Sequence, residues 1–293
     1  MNFSDLEKYI SAERLSTYST LVGCTDLDKT IGAYYWNKAL GGTVYTFLQC
    51  LEVTLRNSLH VESWAKIGKE TWYETVCKVV GNRARAKQTK AGKKRKYTVN
   101  ETKIYNTIEK LKREGKVVSS ANVISSLTLG FWVNLFQGDY ASSTQTLLWP
   151  ELLPKVFPNA PKGISLATCF SELKDINLLR NRFSHHEPLW KSGSVLTIDD
   201  AIAFLDSEVE KIFRYVGHIN SDREKMLRQS AAFKEFKILN TRQTFDLFIG
   251  NGNKSLTAQQ FKADLNLYLK QVCVEQQVIY VKRNNALARI SCY

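Results

Sequence analysis

The sequence predicts an all-α fold: a helical bundle carrying a basic insertion, followed by a small helical or α+β region at the C-terminus. Three observations carry this prediction. Apolar residues recur at i, i+3, i+4 and i+7 over several long stretches, the spacing of one buried helix face. All five prolines lie between Pro150 and Pro188, so the first half of the chain is free of helix breakers. Capping residues stand where the clearest periodic stretches begin.

From Thr43 to Trp64, the residues Val44, Phe47, Leu48, Leu51, Leu55 and Leu59 share a face, and Glu52, Arg56 and His60 form a polar stripe beside them. Tyr34, Tyr35 and Trp36 precede this helix, with Gly41-Gly42 between. The segment Gly81 to Lys96 holds Arg83, Arg85, Lys87, Lys90, Lys93, Lys94, Arg95 and Lys96, with no acid and no large apolar residue. Such a segment cannot bury a face, so a mobile loop is expected there. Helix should resume over residues 100–113, and Val123 to Phe136 is a third apolar stretch. Ser165 caps a helix with apolar positions Leu166, Cys169, Phe170, Leu173, Ile176, Leu179 and Phe183, and Pro188 ends it. Thr197 caps another, whose apolar face runs from Ile198 to Val216. Gly217 reads as its stop and His218 as a surface residue beyond it. Residues 220–235 and 257–271 read as helices, and Val278 to Val281 with Ala286 to Tyr293 as a hairpin. This divides the chain into residues 1–217, with an insertion at 81–116, and an accessory region at 218–293.

The balance of 41 basic to 28 acidic residues, a net +13, calls for a polyanionic partner. Gly81 to Lys116 concentrates it, with thirteen Lys/Arg against three Glu. The six cysteines are scattered without a C-x-x-C pair, which argues against a disulfide framework and against a zinc site. No Gly-rich phosphate loop occurs, so no cofactor and no metal is expected. The N-terminus has early acids and no apolar core, and no run approaches the roughly 18 apolar residues of a membrane span. A cytoplasmic protein without a membrane partner is expected.

The chemistry-bearing stretch is Leu179-Arg180-Asn181-Arg182-Phe183-Ser184-His185-His186-Glu187-Pro188-Leu189-Trp190. Two histidines are adjacent at the end of a helix, and Arg180 stands five residues before His185. Asn181 is four before His185 and shares its face, so its amide can orient the imidazole. Cleaving RNA by attack of a 2′-OH on the neighbouring phosphate needs a base, an acid and positive charge on the transition state. Histidine and arginine supply these. The bland alternative is a histidine stabilised by the helix dipole, with Glu187 as its partner. The residues alone leave both readings open.

The string "RNRFSHHEPLW" resembles the motif that closes the catalytic helix of Abi-like abortive-infection proteins, a branch of the HEPN superfamily. "RLSTY" at Arg14 to Tyr18, "YYWNKAL" at Tyr34 to Leu40, "LEVTLRNSLH" at Leu51 to His60, "FWVNLF" at Phe131 to Phe136 and "LWPEL" at Leu148 to Leu152 follow in family order. The resemblance covers roughly residues 6–215 and is nearest the AbiD/AbiF group. It implies a HEPN-like bundle and a metal-independent endoribonuclease acting as an RNA-cleaving toxin in phage defence. Arg180 and His185 would be its catalytic pair, Asn181 the orienting residue and His186 a second candidate for proton transfer. It further implies a homodimer that joins two motif copies across a two-fold axis, and restraint by a bound, structured small RNA.

Glu52, Arg56, Asn57 and His60 read either as an intrahelical ion pair near the core or as a wall of the active cleft. The basic run from Arg83 to Lys96 reads as a solvated segment that contacts RNA phosphates. The rival function is a non-catalytic RNA-binding or regulatory protein on the same scaffold. A DNA-binding role would rest on charge alone.

Overall fold

In the computed structural model, residues 7–89, 97–142, 147–250, 262, 265–274, 279–283 and 286–290 are described. The fold is an all-α helical bundle, joined at its C-terminal end by one two-stranded hairpin. Its helices are α1 (Glu7–Ile10), α2 (Ala12–Val22), α3 (Leu27–Ile67), α4 (Trp72–Thr89), α5 (Val99–Arg113), α6 (Ser120–Ser126) and α7 (Leu129–Asn134). After them come α8 (Leu153–Val156), α9 (Leu166–Ser184), α10 (Ile198–Ile219), α11 (Ser221–Gln229), α12 (Ala231–Leu239), α13 (Arg242–Phe248) and α14 (Leu265–Cys273). Strands β1 (Ile279–Arg283) and β2 (Ala286–Ile290) pair antiparallel with Ile279 opposite Ile290.

Contacts divide the chain into two compact units that interleave in sequence. One comprises residues 1–44, 186–207 and 228–293, the other residues 45–185 and 208–227.

In the first unit the core gathers around Trp36, whose indole N–H donates to the Leu239 carbonyl at 2.7 Å. Trp190 lies against Trp36 at 5.1 Å and edge-on to Tyr18 at 5.6 Å between ring centres. The segment after the paired histidines is pinned by the buried Asn37. Its carbonyl oxygen accepts the Leu189 N–H at 3.0 Å, while its amide donates to the Tyr18 hydroxyl at 3.0 Å. A buried amide satisfied at both ends fixes this turn firmly.

In the second unit the apolar face foreseen from Phe47 to Leu59 is fully buried, as are Cys169, Leu173, Ile176 and Leu179 of α9. Phe136 stacks on Trp149 at 4.6 Å, and the Trp149 indole donates to the Leu135 carbonyl at 2.6 Å. Phe47 meets Phe213 edge-on at 5.1 Å. Helix α5 begins with a reciprocal capping box between Thr98 and Glu101, which fixes its start after the basic run.

Four expectations change. Tyr34 to Trp36 do not precede the Thr43 helix but belong to it, because α3 runs unbroken through Gly41-Gly42. The basic segment is not a loop from Gly81: α4 continues to Thr89, held there by Arg85 bonding to Glu101 of α5. Residues 90–96 lie outside the described set. The apolar stretch from Val123 to Phe136 is two helices, broken where Leu127 turns extended at ψ 135°. Gly217 does not stop α10, which reaches Ile219. A side chain at 217 would collide with the Glu224 carboxylate, so the glycine permits close approach instead. His218 is accordingly buried, edge-on to Tyr215 at 5.5 Å.

Gly32 makes the tightest such approach in the first unit, where a Cβ would run into the Phe248 carbonyl at the end of α13. Backbone cannot swing aside as a side chain can. Gly32→Ala should therefore destabilise the protein by roughly 1–3 kcal/mol through overpacking, despite alanine's better helix propensity. Urea unfolding measures this, and a variant at least as stable as wild type would refute the contact.

Candidate active site

The C-terminal end of α9 is built by local geometry. Ser165 caps its start, accepting the Thr168 N–H at 3.0 Å. At its end His185 is the C-cap and donates its backbone N–H to the Asn181 carbonyl at 2.9 Å. His186 then adopts the left-handed conformation at φ 57°, a place usually taken by glycine. Both imidazoles are exposed. In the first unit, the His186 carbonyl accepts the Arg14 guanidinium at 3.0 Å and the Lys38 ammonium at 3.5 Å. The link expected between Asn181 and His185 is thus made by backbone, and no hydrogen bond joins their side chains among the described residues.

One turn upstream, α9 meets α7, which also packs on α5. Here the second unit assembles a charged cluster. The Glu52 carboxylate of α3 accepts the backbone N–H of Leu129 at the start of α7, and it lies in the fields of Arg180 and Arg56. It therefore does the capping that Thr128 does not, since that side chain makes no cap hydrogen bond. Lys103 of α5 also lies in the field of Arg180. Lys103 and the Asn177 amide both close over Gly130: a Cβ there would sit 3.2 Å from Asn177 Oδ1 and 3.3 Å from Lys103 Nζ.

Burial governs the electrostatics. It raises the Glu52 pKa above the ordinary 4.5, and the neighbouring cations and the Leu129 N–H only partly offset it. Burial also lowers the Lys103 pKa, and the Arg180 charge beside it lowers it further. Two cations held together in a half-buried site attract an anion.

The other foreseen residues make contacts of their own. Arg56 Nε donates to Asn57 Oδ1 at 3.3 Å, and Asn57 is exposed. His60 accepts the Trp72 indole N–H on Nδ1 at 3.0 Å and stacks on Trp64, with burial lowering its pKa. That ring belongs to a structural contact on α3 and α4. Arg83 is exposed, whereas Arg85 bonds to Glu101 and to Asn82 Oδ1 at 2.7 Å. The side chain of Lys87 and all of Lys90, Lys93, Lys94, Arg95 and Lys96 lie outside the described residues. Among the described residues, no three His, Cys, Asp or Glu converge as a metal site requires. No described helix is long and apolar enough to cross a membrane.

Lys103, Asn177 and Gly130 were not singled out by sequence. Asn177 could have been found, because it precedes Arg180 by three and shares its face. Lys103 was one charge in a crowded segment, and only the packing of α5 brings it to Arg180.

The Abi-like protein family matches residues 1–191, and the chain belongs to that family. No curated protein and no solved structure matches it.

Two outcomes follow from this geometry. Because the folded-state pKa of Glu52 is raised, its charged form costs stability. That cost is absent below pH 4.5, where folded and unfolded forms are both protonated, and it grows as pH rises through the folded-state value. Glu52→Gln keeps an acceptor for Leu129, so its Tm should match wild type near pH 4 and exceed it at neutral pH. A variant that loses ground as pH rises would show that Arg180 outweighs burial. His186→Gly should keep the turn and raise stability by at most about 1 kcal/mol, the left-handed strain less glycine's unfolded-state entropy. A marked loss in a thermal melt would mean that the imidazole itself holds the turn.

Proposed function

We propose that this chain is a metal-independent endoribonuclease of the HEPN type, acting as an RNA-cleaving toxin in abortive infection. The observation that carries the reading is the placement of Arg180 among Lys103, Asn177 and Glu52, on the helix that ends in exposed His185 and His186. Family membership supports the link to abortive infection. Arg180 would hold the scissile phosphate and stabilise the charge that develops on it. His185 would take the proton of the attacking 2′-OH as the new bond to phosphorus forms, and the bond to the 5′-oxygen would break as that oxygen gains a proton. The products are a 2′,3′-cyclic phosphate and a 5′-hydroxyl.

One imidazole cannot be base and acid in the same step. His186 or a second copy of His185 must supply the other function. A homodimer with a two-fold interface near α9 would bring two motifs into one composite site. The dense basic run from Arg83 to Lys96 would suit a structured small RNA that restrains the enzyme. Asn181 would orient His185 once substrate orders the ring.

The test is RNA cleavage in EDTA by RNA-stripped protein, comparing wild type with Arg180→Ala and His185→Ala. Wild type should leave cyclic phosphate ends, and His185→Ala should lose at least about a hundredfold in rate while still binding RNA. Equal cleavage by all three would place the activity elsewhere. Tight binding without cleavage by any would favour the rival, an RNA-binding regulatory protein.

A further inference from the structure

Beside His186, the first unit brings two cations to one neutral atom. Arg14 of α2 and Lys38 of α3 both donate to the His186 carbonyl, at 3.0 Å and 3.5 Å. A guanidinium and an ammonium each carry several N–H donors, so most of their capacity is left over. Among the described residues neither side chain makes another hydrogen bond, and neither forms an ion pair with an acid. Glu187, next in sequence to His186, directs its carboxylate to Lys191 at 3.4 Å.

Two like charges are therefore held close together without a counterion. Burial lowers the Lys38 pKa from its ordinary 10.5, and the Arg14 charge lowers it further. Holding a backbone carbonyl asks for a donor, not for two full charges. An anion seated against both side chains would relieve their repulsion, and charge-assisted bonds to phosphate oxygens suit both groups.

Aromatic rings stand beside the pair. Tyr34, Tyr35 and Lys38 share a face of α3 through their i, i+3 and i+4 spacing. Lys38 Nζ lies 4.9 Å from the centre of the Tyr34 ring, and Tyr35 meets Tyr34 edge-on at 5.5 Å. Tyr35 is 52% exposed and has no other ring contact among the described residues. An exposed ring next to unneutralised cations is the pattern of a single-stranded nucleic-acid site. There the backbone follows the charge and an unpaired base lies on the aromatic side chain. A duplex keeps its base faces inside the stack, so the ring favours a single strand.

We propose that Arg14 and Lys38 form a phosphate subsite for single-stranded RNA, with the adjoining base against Tyr35. That the strand is RNA rests on the ribonuclease reading, while the pairing of a phosphate with an exposed ring rests on these contacts alone. All of these residues belong to the first unit, whereas Arg180 and Lys103 belong to the second. Since both cations hold the carbonyl of His186, a strand seated on them would run beside the residue whose exposed imidazole is a candidate for proton transfer.

The experiment is fluorescence anisotropy of a short 2′-O-methyl oligouridylate, which has no free 2′-OH to react, with full-length, RNA-stripped protein over a range of salt. The variants are Arg14→Gln, Lys38→Gln and Tyr35→Leu. Lys234→Gln serves as the charge control, because Lys234 is exposed on α12 of the same unit. Glutamine keeps an N–H for the His186 carbonyl and removes the charge. Arg14→Gln and Lys38→Gln should each weaken binding and reduce the slope of log affinity against log salt by about 0.7. Tyr35→Leu should weaken binding at least about fivefold and leave the slope unchanged. Lys234→Gln should change neither. Circular dichroism melts of each variant separate these effects from misfolding. Affinity and slope untouched in folded Arg14→Gln and Lys38→Gln proteins, an equal loss in Lys234→Gln, or wild-type binding by Tyr35→Leu would overturn the proposal. So would inorganic phosphate or duplex DNA bound as tightly as the oligouridylate, the first marking a site for a free anion and the second a site for a duplex. The expected losses in a protein that cuts no RNA would uphold the subsite and sink the ribonuclease reading. Metal-free cleavage by wild type, with variants that bind as it does, would do the reverse.

Discussion

The carboxylate of Glu52 cannot leave its half-buried place on α3 without withdrawing an acceptor from the start of α7 and a negative charge from beside Arg180. It accepts the first N–H of α7, whose own N-cap side chain makes no such bond, and it sits in the field of Arg180 on α9. A helix of six residues has little stability of its own. Its start is fixed from outside, and a charged acceptor at an N-terminus is favoured by the helix dipole. Because burial still outweighs those partners, the contact is not a source of stability at neutral pH. Its value is positional: one side chain ties α3, α7 and the motif arginine into a single arrangement. A desolvated ion cluster kept at some cost is common where geometry matters more than stability.

The histidines are positioned by a different device. Helix α9 ends because His185 leaves the helical region and His186 takes a left-handed turn, four residues before the chain is anchored by Leu189 and Trp190. Arg14, Lys38 and Asn37 bond to the carbonyls of His186 and Glu187 and to the Leu189 N–H. Backbone atoms are gripped while the two rings stay exposed. On the ribonuclease reading this suits groups that would move protons rather than fill space, while the tail of the motif, Glu187 to Trp190, is largely structural. Pro188, Leu189 and Trp190 are buried, and their part in the motif is to end the helix at a fixed point.

Much of this was legible in the sequence, and the parts that were not share a cause. The apolar faces of α3, α9 and α10 were read correctly because periodic burial is local. So were the caps at Ser165 and Thr197, whose hydroxyls accept the N–H groups three residues on. The errors arose where tertiary contact overrides local preference. Gly41-Gly42 and Gly217 looked like breaks, yet α3 and α10 pass through them, and at 217 the reason is the Glu224 side chain alongside. The polar stripe on α3 read as one unit, but Glu52 turns to α7 and Arg180 while His60 bonds to Trp72. Period alone cannot tell which neighbour a polar side chain will meet.

The basic segment shows the same limit with more consequence for function. By composition it is one block of charge, suited to any polyanion. By packing it divides into parts with different tasks. Arg85 is spent on Glu101, whose carboxylate also closes the capping box that starts α5. That box sets the register of α5, and the register places Lys103 beside Arg180. An ion pair at the end of α4 thus fixes the helix that carries Lys103 to Arg180. A shift of α5 by one residue would turn Lys103 away by about 100°. On the ribonuclease reading proposed above, this described part of the basic segment would act on RNA geometry as well as on RNA affinity.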